Sequence, residues 1–436
     1  MEVLGFLSEV LWTTAVALTV ITLPVFLWQG IVMLHGLLPG GRKRRRQAKS
    51  AGSGGEEKIP LHRTARFAVV TCARNEEAVI GSLLDSLALQ EYPRDCFDLF
   101  VVADNCTDAT AAVARSYGAE VLERFDTLHI GKGHALRWAL PQILPQGHRY
   151  DAVVLFDADN QASPAFLSEM DASLADGADV VQGYREAMNP ADSWVSGCYG
   201  IYWLYMSRFF NRARANMGRS CLVGGTGFAF RTELVEETGW DTVTMSEDTE
   251  FSLQRICRGY RIVPADRAVF YDEQPTSFRV SLRQRYRWMT GCVQCVRRCL
   301  PEALQALRRG RRAPRPVETA SVLDAVMLLL TPLAAVLALI SGVLSALAIL
   351  LEPGADPTGV GWLLLSGVGG LLALQAAAAL TVRLERHSLR AFWRPILLFP
   401  VFILPLSYLI LASLIRPKRE WKPIAHTGGR KALERQ

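Results

Sequence analysis

Two carboxylates one residue apart, Asp157 and Asp159, directly follow an apolar, strand-forming run at residues 153–156. Such a run predicts a buried strand of a parallel sheet, and open α/β sheets bind ligands just beyond the carboxyl ends of their strands. Adjacent carboxylates repel each other unless a cation lies between them, and Mg²⁺ or Mn²⁺ binds carboxylates together with diphosphate oxygens. The pair therefore indicates a metal-diphosphate site. An ordinary Asp-rich turn is the alternative, because Asp is a common turn residue.

Two loops upstream of this pair carry further polar side chains beside predicted strands and helices. Asp104 follows a predicted strand at 99–103, where a carboxylate can accept hydrogen bonds from a base or a ribose. Turn formation and helix capping explain the same loop without any ligand. Lys132 lies between two glycines before a predicted helix at 134–144, so it can bring a cation to a phosphate at a helix start. This loop does not match the P-loop consensus.

Three segments downstream of the pair are also candidates for chemistry. The glycine-rich segment 222–228, which contains Thr226, allows close backbone approach to a ligand or is simply a bent strand. Glu247 and Asp248 begin an amphipathic helix, where acids favour the helix dipole and where one acid can also take a proton from a hydroxyl. Residues 284–288, Gln-Arg-Tyr-Arg-Trp, precede a hydrophobic region, a position where Trp and Arg are often interface anchors.

The spacing of apolar residues predicts the elements that position these side chains. Strands are predicted near 67–71, 99–103, 120–125 and 179–184, in addition to the run before Asp157, and helices are predicted between them. Alternating strands and helices imply a parallel sheet with right-handed crossovers, an architecture common among nucleotide-binding domains.

Hydrophobic segments long enough to cross a membrane lie at both ends of the 436-residue chain. They are residues 10–38 near the start and 322–351, 360–382 and 395–415 near the end, each close to or above the ~20 residues that span a bilayer. The region between them, about 59–315, is polar and mixed in charge. The sequence therefore predicts a soluble domain on a membrane base.

The formal net charge of +6 is concentrated beside these hydrophobic segments, at 42–46, 308–315 and 416–422. Juxtamembrane Lys and Arg mark the cytoplasmic side and anionic lipid rather than a nucleic-acid partner. The nine cysteines lack secreted-type spacing, which agrees with a reducing compartment. Three full crossings near the end would place the basic tail outside, so the proline-containing segment 395–415 is predicted to be kinked or re-entrant.

Taken together, the motifs resemble those of membrane-integrated family 2 glycosyltransferases, the cellulose, chitin, hyaluronan and poly-N-acetylglucosamine synthases and the nodulation chitin-oligosaccharide synthases. The matching motifs occur in the family's order: a VDDGSTD-like loop at 102–108, DxD at 157–159, a TED-like Ser-Glu-Asp at 246–248 and QxxRW at 284–288. The resemblance covers about residues 66–301, with Ser246 in place of the family's Thr and only a loose likeness at 224–227. It implies an α/β fold of the GT-A type, a nucleotide-sugar-binding, mostly parallel sheet in the cytoplasm between N- and C-terminal transmembrane helices.

The resemblance also implies a role for each matching residue, with Asp104 contacting the uracil and Asp248 serving as the general base. The implied sites are donor binding by Asp104, Lys132, Asp157, Asp159 and Arg287, metal binding by Asp157 and Asp159, and acceptor binding by Gln284, Trp288, Glu247 and Thr226. The implied cofactor is Mg²⁺ or Mn²⁺.

The expected reaction is inverting, metal-dependent transfer from a UDP-sugar to a growing β-linked polysaccharide or oligosaccharide at the cytoplasmic face of the cell membrane. Single addition to a lipid acceptor, as in ceramide glucosyltransferases, is the alternative. A transporter or a non-catalytic nucleotide-sugar sensor is a third hypothesis. The intact acids disfavour the sensor, and the expected lack of a charged residue buried in the membrane segments disfavours an ion-coupled transporter. Expected partners are the UDP-sugar, a glycan or lipid acceptor, membrane lipids, and an export partner or a second copy, but no nucleic acid.

The predicted organisation has five parts. They are a transmembrane helix at 1–41, a basic flexible linker at 42–60, a GT-A catalytic domain at 61–275, interfacial helices with QxxRW at 276–316, and a membrane region with a basic tail at 317–436.

Overall fold

The computed structural model describes residues 2–39, 64–236, 238–310, 315–352 and 357–417. The predicted linker at 42–60 and most of the basic tail lie outside the described residues.

Eight strands form one sheet in the described part of the chain. They are Phe67–Ala73 (β1), Phe97–Asp104 (β2), Glu120–Arg124 (β3), Ala152–Asp157 (β4), Asn160–Ala162 (β5), Val180–Ala187 (β6), Phe228–Arg231 (β7) and Ile262–Asp272 (β8). Their order across the sheet is β3-β2-β1-β4-β7-β6-β8-β5. The five predicted strands are confirmed as β1, β2, β3, β4 and β6, and β5, β7 and β8 are additional to them.

The first four strands in this order are parallel, and their register aligns their carboxyl ends. β1 pairs in parallel with both β2 and β4, and β2 pairs in parallel with β3. Cys72 of β1 is opposite Asp157 of β4, and Ala73 is opposite Ala103 of β2. Asp104 and Asp157 therefore lie at the same edge of the sheet.

The remainder of the sheet is mixed, with β6 and β8 parallel to each other, and because only β7 and β5 run against the other six strands, the expected mostly parallel sheet is confirmed. β7 runs antiparallel to both β4 and β6, and β5 runs antiparallel to β8. After β6 the chain passes into helices and then the glycine-rich segment 222–227 before it enters β7. Because the N-terminus of β7 lies beside the carboxyl end of β4, where Leu155 pairs with Phe228, β7 must run antiparallel.

Helices cover both faces of the sheet and continue into the hydrophobic ends of the chain. They are Glu2–Gly36 (α1), Ile80–Ala88 (α2), Thr110–Ser116 (α3), Lys132–Ile143 (α4), Phe166–Ala175 (α5), Trp194–Tyr205 (α6), Ala213–Asn216 (α7), Glu233–Glu236 (α8), Glu247–Cys257 (α9), Phe278–Arg309 (α10), Thr319–Leu351 (α11), Pro357–Leu384 (α12), Trp393–Ile403 (α13) and Pro405–Ile415 (α14). Between α6 and α7, residues Met206–Arg212 form a π-helix, called the π segment below.

Alternate residues of each strand enter two separate hydrophobic cores, as the period of two along a strand requires. Val69 and Val101 pack in one core with side chains of α2 and α5. Val70 and Val102 face the other core, which contains side chains of α4, α9 and α10. This second core also includes residues of α11, among them Leu329. A helix of the hydrophobic C-terminal region is thus part of the packing of the catalytic sheet.

Four helical stretches in the described residues are long and apolar enough to cross a membrane: Glu2–Gly36, Thr319–Leu351, Thr358–Leu384 and Trp393–Ile415. They match the four predicted segments. The last stretch is divided at Leu404 into α13 and α14, because Pro405 has no N–H to continue the helical hydrogen bonds. Leu404 itself keeps helical dihedral angles, and the predicted kinked or re-entrant course of this segment stays a prediction.

A buried ion pair joins the second of these helices to the domain that carries the sheet. Arg214 of α7 donates through Nε to Asp324 of α11 at 2.7 Å, and the two side chains are only 1% and 3% exposed. The indole N–H of Trp28 in α1 donates to the same carboxylate at 2.7 Å. The expectation that the hydrophobic segments bury no charged residue is therefore wrong. The charge is tolerated because a cation and an indole N–H satisfy the carboxylate.

We expect Asp324→Ala to destabilise the protein strongly, because Arg214 would remain buried without its partner. Removing one member of a buried ion pair costs about 3–5 kcal/mol. The measurement is the thermal unfolding midpoint of the purified protein in detergent. The control is the double variant Arg214→Met with Asp324→Leu, which removes both charges and should recover most of the loss. Equal midpoints for Asp324→Ala and the natural protein would contradict this role of the pair.

Candidate active site

A cavity of about 500 Å³ lies at the carboxyl edge of the sheet. Its walls come from the ends of β4, β6 and β8, from α6 and the π segment, from the start of α9, and from α10 and α11. The predicted site residues in its wall are Asp157, Asp159, Glu247, Asp248, Gln284, Arg287 and Trp288. The structure therefore brings together acids and cations that are far apart in the sequence. Three other predicted site residues, Asp104, Lys132 and Thr226, do not line this cavity.

Residues 157–160 join β4 to β5 and are called the acidic turn below. Thr226 lies beneath the acidic turn rather than in the cavity wall. Its hydroxyl donates to the amide oxygen of Asn160 and accepts a hydrogen bond from the backbone N–H of Asp157 at 2.8 Å. The side chain is fully buried. This position corrects the expectation that Thr226 contacts the acceptor, because both functions of its hydroxyl are used inside the protein. Thr226 instead fixes the backbone that carries Asp157.

Lys132, the first residue of α4, extends toward the acidic turn. Its ammonium group donates to the carboxylate of Asp157 and to the carbonyl oxygen of Gly225 at 2.7 Å. Burial lowers its pKa, but the carboxylates of Asp157 and Glu247 outweigh that effect and hold the pKa of Lys132 above its ordinary value. A cation is thus held next to the site where a diphosphate would bind.

Asp104 is buried at the end of β2 and has a cationic partner of its own. Its carboxylate accepts from Nη1 of Arg124 at 2.6 Å and from the amide of Asn105 at 3.0 Å. Burial raises the pKa of Asp104 even though the Arg124 guanidinium opposes the shift. The sequence motif did not include Arg124, and the pairing arises because β2 and β3 are neighbours whose register places Asp104 opposite Arg124.

Glu247 and Asp248 form the first turn of α9 and face the acidic turn across the cavity. Asp248 accepts from the N–H of Thr249 at 2.7 Å. Burial raises the pKa of Asp248, while the Thr249 N–H and the charges of Lys132 and Arg185 lower it. Burial and the neighbouring Asp248 raise the pKa of Glu247 to about 7 against the opposing effect of Lys132. Two acids with raised proton affinity therefore share one wall.

Glycine at position 225 allows the loop to approach these acids closely. Gly225 has φ +84°, and a Cβ atom at this residue would lie 3.3 Å from a carboxylate oxygen of Asp248. A residue with a side chain would be strained in this left-handed conformation and would also crowd the acid. The glycine-rich segment therefore provides close backbone approach, one of its two sequence interpretations.

The α10 helix contributes the QxxRW residues through an aromatic wall. Gln284 accepts from the hydroxyl of Tyr199 at 2.8 Å. The Trp288 ring stacks on Tyr202 with centroids 6.2 Å apart and meets Trp203 edge-on at 5.8 Å. The aromatic residues of α6 therefore pack against the motif and orient it toward the cavity.

Close contact between α10 and the start of α9 explains the unusual Ser246. A Cβ atom at Gly291 would lie only 2.1 Å from the Ser246 hydroxyl oxygen, so the two backbones are in direct contact. The Ser246 hydroxyl also donates to the carbonyl of Trp288 at 3.4 Å. A threonine here would add a methyl group to this contact, whereas serine fits.

Arg185 and Asp272 also line the cavity, and the sequence motifs did not include them. Their side chains form an ion pair with a 3.3 Å distance between Nε and Oδ2, and the Arg185 guanidinium lies 4.0 Å from the centre of the Trp203 ring. Burial raises the pKa of Asp272 to about 7; Arg185 opposes the shift, and the charges of Asp159 and Asp157 add to it. Asp272 ends a strand, as Asp157 does, although a proline and charged residues break the apolar pattern of that strand.

The oxygen donors in the cavity fit a hard divalent cation. Asp157 and Asp159 are the pair that would hold it, and their negative charge is large enough to raise the pKa of Asp272. No group of three or more His, Cys, Asp or Glu side chains in metal-binding geometry occurs among the described residues. A metal would therefore need additional ligands from a substrate, as Mg²⁺ usually takes from phosphates.

The mixed sheet with an acidic turn at its carboxyl edge defines a GT-A type domain. The sequence profile described as "Glycosyltransferase like family 2" matches residues 64–291, which is more than half of the chain. The chain belongs to this family. Membership of family 2 is thereby confirmed, and the narrower resemblance to the membrane-integrated polysaccharide synthases stays a prediction.

Two curated relatives are similar to this chain over part of their length. The probable glycosyltransferase YdaM of Bacillus subtilis is 25% identical over 257 residues, which are 56% of this chain and 59% of the relative. The beta-monoglucosyldiacylglycerol synthase of Nostoc is 26% identical over 297 residues, which are 65% of this chain and 60% of the relative. The chain thus spans about three fifths of the length of the curated relatives it matches.

A solved structure extends the likeness to nearly the whole fold. The mannosyltransferase PcManGT of Pyrobaculum calidifontis, in complex with GDP-Man and Mn²⁺, aligns with a TM-score of 0.59 at 20% identity. The alignment covers 93% of this chain and 98% of that protein. The comparison shows that the two proteins share a fold.

Proposed function

We propose that this protein transfers a sugar, with inversion, from a nucleoside diphosphate sugar to a hydroxyl of a lipid acceptor at the cytoplasmic face of the cell membrane. The observation that carries the proposal is a single cavity that contains the acidic residues and also reaches a membrane helix. Family membership supports the reaction type, and the cavity wall supports the acceptor class.

The donor would bind at the carboxyl edge of β1, β2 and β4. Asp157 and Asp159 would hold the metal, which neutralises charge on the departing diphosphate when it is bound. Arg287 lines the cavity and can bind diphosphate oxygens, whereas Lys132 donates to Asp157 from behind the cavity wall and remains our candidate for a second cation near the diphosphate. Asp104, one strand further along, remains our candidate for contact with the uracil of a UDP-sugar.

Asp248 would act as the general base on the acceptor hydroxyl. It lines the same cavity as the acidic turn but belongs to a different wall, at the start of α9. A base that faces the acceptor oxygen from the side opposite the leaving group accounts for inversion at the anomeric carbon. Glu247, Gln284 and Trp288 also line the cavity and are our candidates for contact with the acceptor.

The α11 wall is the structural reason for a lipid acceptor. Ala325, Leu328, Leu329 and Pro332 of this helix line the cavity. With a rise of 1.5 Å per residue, Leu328 and Pro332 lie about 14 and 20 Å from the start of the helix. Apolar side chains along this stretch of α11 suit an acyl or prenyl chain better than a sugar polymer.

The part of the cavity wall formed by α11 supports polymer synthesis, the first expectation from the motifs, less well than it supports a lipid acceptor. A polysaccharide path needs polar or aromatic side chains that can contact sugars. Thr331 is the polar residue that α11 contributes, and its hydroxyl donates to the carbonyl of Met327 at 2.8 Å and accepts from Gln29 at 3.2 Å. The relative named as a glucosyldiacylglycerol synthase also favours a lipid acceptor.

The proposed boundaries and topology follow the sequence. We place the catalytic domain at 61–275, with the α10 helix and its QxxRW motif at the membrane surface. The basic residues beside the hydrophobic segments favour the cytoplasmic side for this domain.

The acceptor class is tested by incubating the purified protein in lipid nanodiscs with radiolabelled UDP- and GDP-sugars and Mn²⁺. We expect label in the organic phase as a single-sugar lipid, and we expect EDTA to abolish transfer and added Mn²⁺ or Mg²⁺ to restore it. The control is the same protein with Asp157 and Asp159 both changed to Asn. Label found only in a water-soluble polymer, or undiminished transfer in EDTA, would reject the proposal.

The pH dependence of transfer tests the electrostatic role of Arg185. A general base works when deprotonated, so the rate falls as the pH drops through its pKa. Because Arg185 lowers the pKa of Asp248, Arg185→Met should raise that pKa and move the acid limb of kcat/KM to higher pH. The conservative Arg185→Lys keeps the charge and should leave the limb near its original position. An acid limb at the same pH in both variants would contradict this role.

A further inference from the structure

The π segment forms part of the cavity wall, and its other side faces the membrane helices. Met206, Ser207, Phe210 and Asn211 line the cavity. π-helical turns are rare and often occur at functional sites, because they place side chains where an α-helix would not. The two polar residues of this wall, Ser207 and Asn211, carry no charge. They are therefore candidates for contact with a polar part of the acceptor.

Asn211 has an unused hydrogen-bonding atom in this wall. Its amide oxygen Oδ1 is buried and has no hydrogen-bond partner within the described part of the protein. A buried acceptor oxygen without a donor is destabilising, so such a group is expected to meet a donor in the working state. A hydroxyl group of a substrate would supply that donor.

The cations near the π segment are all directed away from the cavity. Arg208 donates to Glu385 at 2.5 Å, and Arg212 donates to Glu385 at 2.9 Å and to Asp266 at 2.7 Å. Neither guanidinium lines the cavity. The third arginine of this region, Arg214, binds Asp324, as described above. Within the described ranges of the chain, a phosphate headgroup beside Ser207 and Asn211 would therefore find no unpaired arginine of the π segment or α7.

The charge of the rest of the wall leads to the same conclusion. The acids that line the cavity are Asp157, Asp159, Glu247, Asp248, Asp272 and Glu273, and the basic residues that line it are Arg185 and Arg287. Arg185 is paired with Asp272, and Arg287 is assigned above to the donor diphosphate. An anionic acceptor would be repelled by this excess of carboxylates, whereas a neutral one would not.

The chemistry of a general base also distinguishes the two acceptor classes. A phosphate oxygen is already ionised at neutral pH and needs no base before it attacks the anomeric carbon. An alcohol must lose its proton during the attack, and Asp248 is positioned to receive it. The carboxylate of Asp248 therefore promotes attack by an alcohol, whereas its negative charge opposes the binding of a phosphate.

We propose that the acceptor is a lipid with an uncharged, hydroxylated headgroup, held by Asn211 and Ser207 of the π segment while its chain lies against α11. This inference rests on the proposed function and narrows it. The acceptor hydroxyl forms a bond to the anomeric carbon as the bond from that carbon to the diphosphate oxygen breaks. The bonding electron pair leaves with the nucleoside diphosphate, and the hydroxyl proton passes to Asp248 and then to water.

The first test compares acceptors with the natural protein in detergent micelles of one composition. Each reaction contains radiolabelled UDP- and GDP-sugars, Mn²⁺ and one acceptor. The acceptors are diacylglycerol, phosphatidic acid with the same chains, a polyprenyl phosphate and free glycerol. We expect transfer to diacylglycerol to exceed transfer to either phosphate lipid and to glycerol by at least tenfold. Preferred transfer to a phosphate lipid would overturn the inference and leave the proposed function intact. Transfer to glycerol alone would reject the lipid acceptor itself.

The second test changes the wall. Asn211→Ala should raise the KM for diacylglycerol about threefold to tenfold, the range expected for one lost hydrogen bond, with the donor KM unchanged. The matched control is Asn216→Ala, because Asn216 lies in α7 outside the cavity lining and donates to the carbonyl of His35. Equal acceptor KM values in both variants would overturn the assignment of Asn211. If Asn211→Ala does not fold, as judged by size-exclusion chromatography, Ser207→Ala serves in its place with the same expectation.

Discussion

Repulsion among carboxylates that the fold gathers at one sheet edge is the constraint on which the rest of this structure depends. Asp157, Asp159, Asp248 and Asp272 come from three strands or helices and meet around one cavity. Burial is the main cause of the raised pKa of Asp272, and the charges of Asp159 and Asp157 add to it. Lys132 and Arg185 offset part of this charge within the protein, and a divalent cation with a diphosphate would offset more. In the proposed function, this balance suits a charged donor together with its metal and leaves Asp248 for proton transfer.

The membrane helices complete this site and also anchor it. α11 contributes side chains to a hydrophobic core of the sheet and to the cavity wall, so the acceptor side cannot form without it. The π segment is fixed between three membrane helices: Gly36 of α1 packs against Phe209, Asp324 of α11 binds Arg214, and Glu385 at the end of α12 binds Arg208 and Arg212. The catalytic domain and its membrane base therefore form one unit around the acceptor.

The strand-end acids and the four hydrophobic helices could be predicted because each has a strong local pattern, an apolar run ending in a polar residue or an uninterrupted apolar stretch. Asp272 escaped this reasoning because β8 carries Pro264 and Asp266 and has an irregular register opposite Gly183 and Tyr184, so its apolar pattern is broken. Partners distant in sequence, such as Arg124 for Asp104, follow from strand order, which local patterns do not determine. The π segment could not be predicted, because its composition is that of an ordinary aromatic helix. The burial of Thr226 could not be predicted either, because it depends on which side of a short loop its hydroxyl faces.

The account depends most directly on Asp248 as the one acid that takes the acceptor proton. The decisive experiment measures two properties of Asp248→Asn. One is its turnover, and the other is its affinity for the nucleoside diphosphate and Mn²⁺, measured by titration calorimetry. Asp241→Asn, a change to a surface carboxylate that binds Arg137, is the matched control. We expect Asp248→Asn to lose at least about a hundredfold in transfer rate with little change in nucleotide affinity, since general bases contribute roughly 10²–10⁴. Turnover near that of the control variant would show that another group takes the proton and would contradict the account.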